Sequence, residues 1–439
     1  MFEELSNPLT LPCGAVLPNR IGKAPMTEGL ADPMNRATCG HVRLYRRWSE
    51  GGSGLLITGN VQVDRRYLER AGNVAIDNNG GLEQLRDYAQ AGTTAGNHLW
   101  MQINHPGRQT PSFLTEQPVA PSAVHLTVPG SEFNTPRALT DAEIEDVIRR
   151  FVHVAEVAKN SGFTGVQIHA AHGYLLSQFL SPITNQRSDR WGGSLENRAR
   201  LLLEVVRGVR ANVGPEYPIS VKLNSADFQA GGFSQDDALQ VAKWLEQESV
   251  DLLEVSGGTY EQTVMVGNAN DADRVLDRRR KSTKKREAYF MEYAKDIRAA
   301  VKMPLMVSGG FRTRAAMIDA LQSGETDVIG IGRPLCADAE IAKKLLKGTA
   351  DRAADIENTL RLGPGFLGLG SNIPMIKAMH TWGQLGWFCC QIIRMGQGLD
   401  PDLSMGLLAA LRWYKRNEAD AAARLNRQNV EAVSAEAAE

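Results

Sequence analysis

The sequence predicts an α/β fold, a TIM (β/α)8 barrel with a C-terminal helical extension. Short apolar runs alternate with amphipathic helical patterns over residues 1–350, and this alternation requires parallel pairing because each crossover returns the chain to the same sheet. Eight repeats favour a closed barrel over an open doubly wound sheet. The 439 residues exceed the roughly 250 of a plain barrel, which leaves room for insertions and an added segment.

The predicted strands and helices follow one another in strict alternation. We predict strands at 21–24, 55–58, 99–103, 166–169, 219–223, 252–255, 305–307 and 328–331. We predict helices at 37–50, 82–97, 195–211, 234–248, 288–300, 314–323 and 338–346. The clearest predicted helix begins with a capping-box pattern from Thr140 to Glu143. Its apolar face is formed by Ile144, Val147, Ile148, Phe151 and Val154.

Two segments lie outside these repeats. Residues 106–136 are long, rich in proline and irregular, so we expect an insertion after the third strand that overhangs the rim of the barrel.

The second segment, residues 351–439, follows the barrel of residues 1–350 and is too short to form a domain of its own. Its apolar residues are Trp382, Trp387, Phe388, Ile392, Ile393, Leu407, Leu408, Leu411 and Trp413. We expect this extension to pack on the barrel or on a neighbouring subunit. In the second case the protein would be a homo-oligomer. Its sparse basic residues disfavour a membrane-surface role, and residues 418–439 should end as a fraying helix.

Charge and composition disfavour several classes of partner and site. The chain has 49 basic and 50 acidic residues, a net charge of −1, which provides no electrostatic footprint for nucleic acid. The first residues lack a signal-peptide pattern, and no apolar run approaches the ~20 residues that cross a bilayer, so we expect a cytoplasmic protein without membrane association. The five cysteines show no C-x-x-C spacing, which argues against a disulfide framework, a zinc ribbon or an iron–sulfur cluster.

The most informative motif follows the fourth predicted strand. His169 falls at the carboxyl end of this strand, and His172 and Tyr174 lie in the loop after it. In parallel α/β barrels this rim carries the chemistry. Two imidazoles and a phenol can bind a developing oxyanion and supply a proton to the neighbouring carbon. The alternative, a pair of buried and satisfied histidines beside a rim tyrosine, is disfavoured because such dense polar groups are costly to bury without purpose.

Glycines and an arginine follow the last two predicted strands. Strand seven runs into Gly309 and Gly310, and strand eight runs into Gly332 and Arg333. Glycine lets backbone N–H groups approach phosphate oxygens, and a guanidinium can bind them in a bidentate manner. Barrels of this class commonly hold a phosphate at this place. The glycine pair alone fits an ordinary tight turn, and Arg333 alone fits a surface ion pair. Their joint occurrence after the last two strands predicts a phosphate-bearing substrate or cofactor.

Further groups at the other strand ends suit a flat ring with polar edges. They are Pro25, Met26 and Thr27 after the first strand, Gly59 after the second, Gln102 in the third and Lys222 in the fifth. Gln102 can both donate and accept, which suits an imide edge. Lys222 can face the anionic side of a reduced isoalloxazine, and Thr27 can donate to a ring carbonyl. Singly these are ordinary strand-end residues, but together they satisfy the perimeter of one flavin.

These motifs, taken together, resemble the old yellow enzyme family of flavin-dependent oxidoreductases. The most specific is HxxHGYLLxQFLSP, from His169 to Pro182, and the pattern QxxHPGR begins at Gln102. GLLITG at 54–59, SGGF at 308–311 and GRP at 332–334 extend the likeness over most of residues 1–350.

The resemblance implies an FMN-binding barrel in which NADH or NADPH donates hydride to flavin N5 and the flavin passes hydride to an activated alkene or a similar small-molecule acceptor. His169 and His172 would bind the carbonyl or nitro oxygen of the acceptor, and Tyr174 would protonate its carbon. The flavin ring would contact Pro25, Met26, Thr27, Gly59, Gln102 and Lys222, and the phosphate would contact Gly309, Gly310, Gly332 and Arg333. The flavin would be bound noncovalently, and no metal site is implied.

Two positions depart from common family patterns. Lys222 replaces the arginine of many relatives, which keeps the positive charge but loses the planar fork. Thr27 replaces the cysteine of one subgroup. The absence of a cysteine cluster after the barrel, together with the chain length, disfavours the multidomain dienoyl-CoA reductase and amine dehydrogenase branches.

Three other functions compete with the reductase. An oxidative flavin-dependent dehydrogenase or demethylase would use the same ring contacts. A barrel lyase or aldolase would use Lys222 as a Schiff-base amine, and a metal protein would use His169 and His172 as ligands. We expect substrate choice to lie in the loops at 106–136 and 264–287.

Overall fold

Eight parallel strands close into a barrel in the computed structural model, which describes residues 4–128, 131–258 and 290–436. The barrel strands, numbered β1 to β8, are Ile21–Lys23, Leu55–Gln62, His98–Asn104, Gly165–Ala170, Ile219–Asn224, Leu252–Ser256, Leu305–Ser308 and Val328–Ile331. Each strand pairs in parallel with the next, and β8 pairs with β1 to close the sheet. The closed barrel and all eight predicted strands are confirmed.

The interior of the barrel changes from apolar to polar along the strands. Toward their amino ends it is filled by large apolar side chains such as Trp100 and Met306. Farther along, Gln102 of β3 lies opposite Gln167 of β4, and Lys222 of β5 lies opposite Glu254 of β6. These four polar residues are buried. The polar layer therefore lies beneath the carboxyl rim.

Twelve helices are described, numbered α1 to α12. They are Cys39–Glu50, Leu82–Gly92, Asp141–Asn160, Leu175–Leu180, Leu195–Val213, Gln235–Gln247, Met291–Ala300, Arg314–Gln322, Pro334–Ala337, Ile341–Leu346, Pro374–Gly396 and Leu407–Glu436. The predicted capping box is present, because the Thr140 side chain and Glu143 bind each other's backbone at the start of α3. Among the helices within these described ranges, none has the length and hydropathy needed to cross a membrane.

Two helix predictions differ from the structure. The predicted helix at 338–346 is present only from Ile341 to Leu346, because Asp338 takes an extended backbone between α9 and α10. Its carboxylate accepts the Glu340 N–H at 3.0 Å and binds Lys344 at 2.6 Å, a local alternative to helical hydrogen bonds. The predicted helix at 82–97 ends at Gly92, where Asn97 Nδ2 donates to the Gly92 carbonyl at 2.8 Å.

Helix α4 was not predicted, because six residues are too few for a periodic pattern. It follows Tyr174 directly and shapes the rim beside β4. The insertion at 106–136 is described except for 129–130, and buried Arg108 ties it together by donating to the carbonyl of His125 at 3.0 Å. The substrate loop expected at 264–287, and the start of the predicted helix 288–300, lie outside the described residues.

Helices α11 and α12 form the extension after the barrel. Trp387 and Ile392 of α11 and Leu407 of α12 belong to the same buried apolar cluster as the barrel residues. At the rim, Arg70 in the loop after β2 pairs with Glu418 of α12 at 2.5 Å. The extension therefore contacts the barrel through apolar packing and through an ion pair. Its standing as a separate unit after residue 350 stays a prediction.

Candidate active site

The loop after β4 brings three of the predicted site residues together. The ring centroids of His169 and His172 lie 5.2 Å apart. Those of His169 and Tyr174 lie 4.8 Å apart, with the rings nearly perpendicular. His172 has a φ of 61° and Gly173 a φ of 77°. Two successive residues in the left-handed region turn the chain sharply, which returns Tyr174 to the side of His169.

Burial keeps both imidazoles neutral. Desolvation, reinforced by the nearby Lys222 ammonium, lowers the pKa of His169 and of His172 well below its ordinary value. The Ala171 N–H donates to His169 Nδ1 at 3.3 Å. The proton of this neutral ring therefore sits on Nε2. His169 is thus prepared to act as a hydrogen-bond donor.

The ends of β5 and β6 position His172. Asn224 Oδ1 accepts the His172 backbone N–H at 3.1 Å. Ser256 Oγ lies 2.7 Å from His172 Nε2. Nδ1 is therefore the ring nitrogen left for a ligand.

A buried carboxylate that the sequence analysis missed joins two predicted site residues. Glu69 lies in the loop after β2 and is 8% exposed. Its two oxygens accept short hydrogen bonds from the Tyr174 phenol and the Thr27 hydroxyl. A hydroxyl has a single proton, so in this arrangement Thr27 faces a ligand only as an acceptor. This differs from the expected role of Thr27 as a donor to a ring carbonyl.

Gln102 and Lys222 lie at the two ends of one hydrogen-bonded chain inside the barrel. Gln102 Nε2 donates to Gln167 Oε1, and Gln167 Nε2 donates to Glu254 Oε2, both at 2.8 Å. Lys222 Nζ donates to Glu254 Oε1, also at 2.8 Å. The side chains of Lys222 and Glu254 are 6% and 0% exposed, so they form a buried ion pair. This chain fixes the amide of Gln102 and the ammonium of Lys222 from below.

The end of β1 approaches the middle of β2 very closely. Pro25, Met26 and Thr27 are half-buried there. The Gly59 N–H donates to Glu28 Oε1 at 2.8 Å, and a Cβ on Gly59 would lie 2.5 Å from the Met26 carbonyl oxygen. This close approach accounts for the glycine at position 59 without any ligand.

Gly309 and Gly310 follow β7 in the backbone conformation that favours glycine, with φ values of 111° and 90°. Within the described part of the chain, the neighbouring Ser308 Oγ is buried and has no hydrogen-bond partner. Gly332, at the end of β8, lies beside the end of β1, since a Cβ on it would meet Met26 Sδ at 3.5 Å. One predicted phosphate residue, Gly332, therefore adjoins a predicted ring contact, Met26.

Arg333 starts α9 beside a buried carboxylate. Its Nη1 lies 3.3 Å from Glu357 Oε1, and Glu357 also binds Arg312. Glu357 is 7% exposed, so two guanidinium groups share one buried carboxylate, and Asp355 lies 3.8 Å from Arg312 as a second acidic neighbour. The Arg333 guanidinium, the unpartnered Ser308 hydroxyl and the glycine backbone are groups that suit a phosphate.

Sequence reasoning missed Glu69, Gln167, Glu254 and Ser256. Gln167 and Glu254 carried a usable signal, because each interrupts an apolar strand that is buried throughout. A polar side chain in such a strand must find a partner inside the barrel. Glu69 gave no signal in the sequence, since it lies in an irregular segment 105 residues before Tyr174. Among the described residues, no group of three or more histidine, cysteine or acidic side chains is placed to hold a metal ion.

Comparisons with known proteins place this geometry in context. The model of the NADH:flavin oxidoreductase / NADH oxidase family matches residues 4–352. The NADH-dependent flavin oxidoreductase nadA of Aspergillus parasiticus is 34% identical over 425 residues, which cover 92% of this chain and 89% of the relative.

Two solved structures are also similar. The old yellow enzyme homologue from Zymomonas mobilis has a TM-score of 0.66 and 27% identity, and the match covers 84% of this chain and 99% of that one. Histamine dehydrogenase from Rhizobium sp. 4-9 has a TM-score of 0.67 and 26% identity, and the match covers 79% of this chain and 48% of that one.

Proposed function

Because the chain belongs to the NADH:flavin oxidoreductase / NADH oxidase family, we propose that it reduces an activated alkene or a similar electrophilic acceptor with hydride from NADH or NADPH. The chain is an oxidoreductase, and its cofactor is FMN, used with a reduced nicotinamide nucleotide. When bound, FMN takes hydride from the nicotinamide and delivers it to the acceptor. Membership of this family argues against the lyase and metal-protein alternatives.

The rim and interior residues would hold FMN noncovalently. Gly309, Gly310, Gly332 and Arg333 would bind the phosphate, supported by the unpartnered Ser308 hydroxyl. Pro25, Met26, Thr27, Gly59, Gln102 and Lys222 would surround the ring. The Gln102 amide keeps one N–H and its carbonyl oxygen available after donating to Gln167, which suits an imide edge that both donates and accepts.

The observation that carries the proposal is the pairing of a neutral donor imidazole with a phenol in a buried pocket. His169 presents Nε2–H, and the Tyr174 ring lies edge-on 4.8 Å away. His169 and the Nδ1 side of His172 would bind the acceptor oxygen and stabilise the negative charge that develops on it. Tyr174 would transfer its phenolic proton to the adjacent carbon. The burial of His169 and Tyr174 strengthens these hydrogen bonds.

The oxidative direction is the second candidate, because the fold is equally similar to that of a histamine dehydrogenase. An oxidative enzyme would take hydride from its substrate and would have no use for a proton donor to carbon. The Tyr174 phenol beside His169 favours the reductive direction, since it supplies a proton donor at the site.

The test is an anaerobic experiment on the FMN-loaded protein. NADH or NADPH should bleach the flavin, and 2-cyclohexenone should restore its colour with formation of cyclohexanone. Histamine and simple methylated amines should leave the oxidised flavin unchanged. Bleaching by an amine, together with no reoxidation by a panel of enones and nitroalkenes, would reverse the assignment.

A further inference from the structure

A buried carboxylate connects the proposed proton donor with a proposed flavin contact. Glu69 accepts hydrogen bonds from the Tyr174 phenol and from the Thr27 hydroxyl. Asn60 Nδ2 donates to it at 2.5 Å and Asn73 Nδ2 at 3.3 Å. All four donors are neutral groups. Each of the two carboxylate oxygens is therefore occupied by one hydroxyl and one amide.

The loop that carries Glu69 is fixed on several sides. Asn35 Nδ2 donates to the carbonyls of Ala71 and Asn73 at 3.1 and 3.0 Å. The neighbouring Leu68 is buried in an apolar cluster with residues of α12. These contacts hold the backbone that carries the Glu69 carboxylate.

This geometry sets where two protons point. The Tyr174 O–H is directed at Glu69, so the phenolic proton is not aimed at an acceptor while that hydrogen bond lasts. The Thr27 O–H is directed at the other oxygen of the same carboxylate. A change at Glu69 must therefore affect the orientation of both hydroxyl protons at once.

Resting on the proposed function, we propose that Glu69 is a positioning residue that holds the Tyr174 phenol in place for proton delivery and orients the Thr27 hydroxyl toward its acceptor role. When Tyr174 delivers its proton, the phenolic O–H bond breaks and a C–H bond forms on the acceptor carbon. The phenolate that remains recovers a proton from water at the end of the cycle. Glu69 sets the place of the phenol before this step, in which the O–H turns from Glu69 to the acceptor carbon, and Glu69 does not touch the acceptor.

The experiment compares Glu69→Gln with wild type in separate half-reactions of the FMN-loaded protein. Glutamine keeps the shape, but its single carbonyl oxygen cannot accept from both hydroxyls. Reoxidation by 2-cyclohexenone should slow at least tenfold with an unchanged KM for the enone. The rates of flavin reduction by NADH and of reoxidation by oxygen should stay within about twofold of wild type, since neither reaction needs a proton placed on carbon. The expected loss with the enone is smaller than the full effect of general acid catalysis, which is roughly a hundredfold to ten-thousandfold.

Two further variants separate positioning from general damage. Glu418→Gln removes a carboxylate from the adjacent Arg70 without contacting either hydroxyl, so it should leave the ratio of the two half-reactions unchanged. The double variant Glu69→Gln/Tyr174→Phe should be no slower with the enone than Tyr174→Phe alone, because Glu69 acts through that phenol. Additive losses in the double variant, or equal losses in both half-reactions of Glu69→Gln, would overturn the positioning role.

The reduction potential of bound FMN provides a readout that does not depend on the acceptor. Freed from Glu69, the Thr27 hydroxyl becomes able to donate, so Glu69→Gln should shift the potential away from that of wild type while Glu418→Gln should not. A wild-type protein that no enone or nitroalkene reoxidises would refute the proposed function alone. An unchanged potential in Glu69→Gln would refute the link between Glu69 and Thr27.

Discussion

Removing one charge from the Lys222–Glu254 pair should destabilise the apoprotein strongly. The two side chains are 6% and 0% exposed, and the ammonium lies 2.8 Å from the carboxylate. Breaking a buried ion pair by removing one partner typically costs about 3–5 kcal/mol. In Glu254→Gln the amide oxygen still accepts from Lys222, so we expect the low end, about 3 kcal/mol. That corresponds to roughly a hundredfold change in the folding equilibrium.

Urea unfolding of the apoprotein, followed by tryptophan fluorescence, measures this loss. The matched control is the double variant Lys222→Met/Glu254→Gln, which removes the buried charge together with its partner. Its stability should recover by more than half, because the main cost is the uncompensated ammonium. A loss below about 1 kcal/mol in Glu254→Gln, or a double variant less stable than the single one, would refute the reasoning.

Three further predictions concern the proton donor, the phosphate and the histidines. Tyr174→Phe should slow enone-dependent reoxidation by about a hundredfold or more while flavin reduction stays nearly intact; stopped-flow traces with equal losses in both half-reactions would remove Tyr174 from the donor role. Arg333→Ala should weaken FMN binding about tenfold to a hundredfold, from the loss of a charge-assisted contact of about 1.5–3 kcal/mol; an unchanged Kd by fluorescence titration would contradict the phosphate site. The free energy of unfolding should fall as the pH drops below about 6.5, by up to ~1.4 kcal/mol per pH unit for each of His169 and His172. Their pKa values are lowered in the folded state, so only the unfolded chain takes up these protons; His169→Gln/His172→Gln should flatten this slope, and an equal slope in that variant would contradict it.

The barrel was predictable because its signals are local. Each strand is a short apolar run, and the site motif at His169 stands directly after one of them. The helix predicted at 338–346 begins only at Ile341, because the Asp338 side chain competes with helical hydrogen bonding, which a periodic pattern does not record.

The site was predictable only in part, for a similar reason. Gln102 and Lys222 were identified because polar side chains near the carboxyl ends of apolar strands suit a ligand. Their partners Gln167 and Glu254 also interrupt apolar strands, but the pairing follows only from the register of the barrel. Glu69 depends on contacts between segments far apart in the chain, so no local pattern marks it.

The loop that carries Glu69 and Arg70 connects the last helix, α12, with the candidate active site. Glu69 faces the site, while Arg70 reaches Glu418 and stacks its guanidinium 5.4 Å from the Tyr414 ring. A chain shortened before α12 would leave Arg70 without this partner and Leu68 without its apolar cover. The extension is therefore hard to exchange between relatives, since a transplanted helix must supply its own apolar cover for Leu68, the neighbour of Glu69.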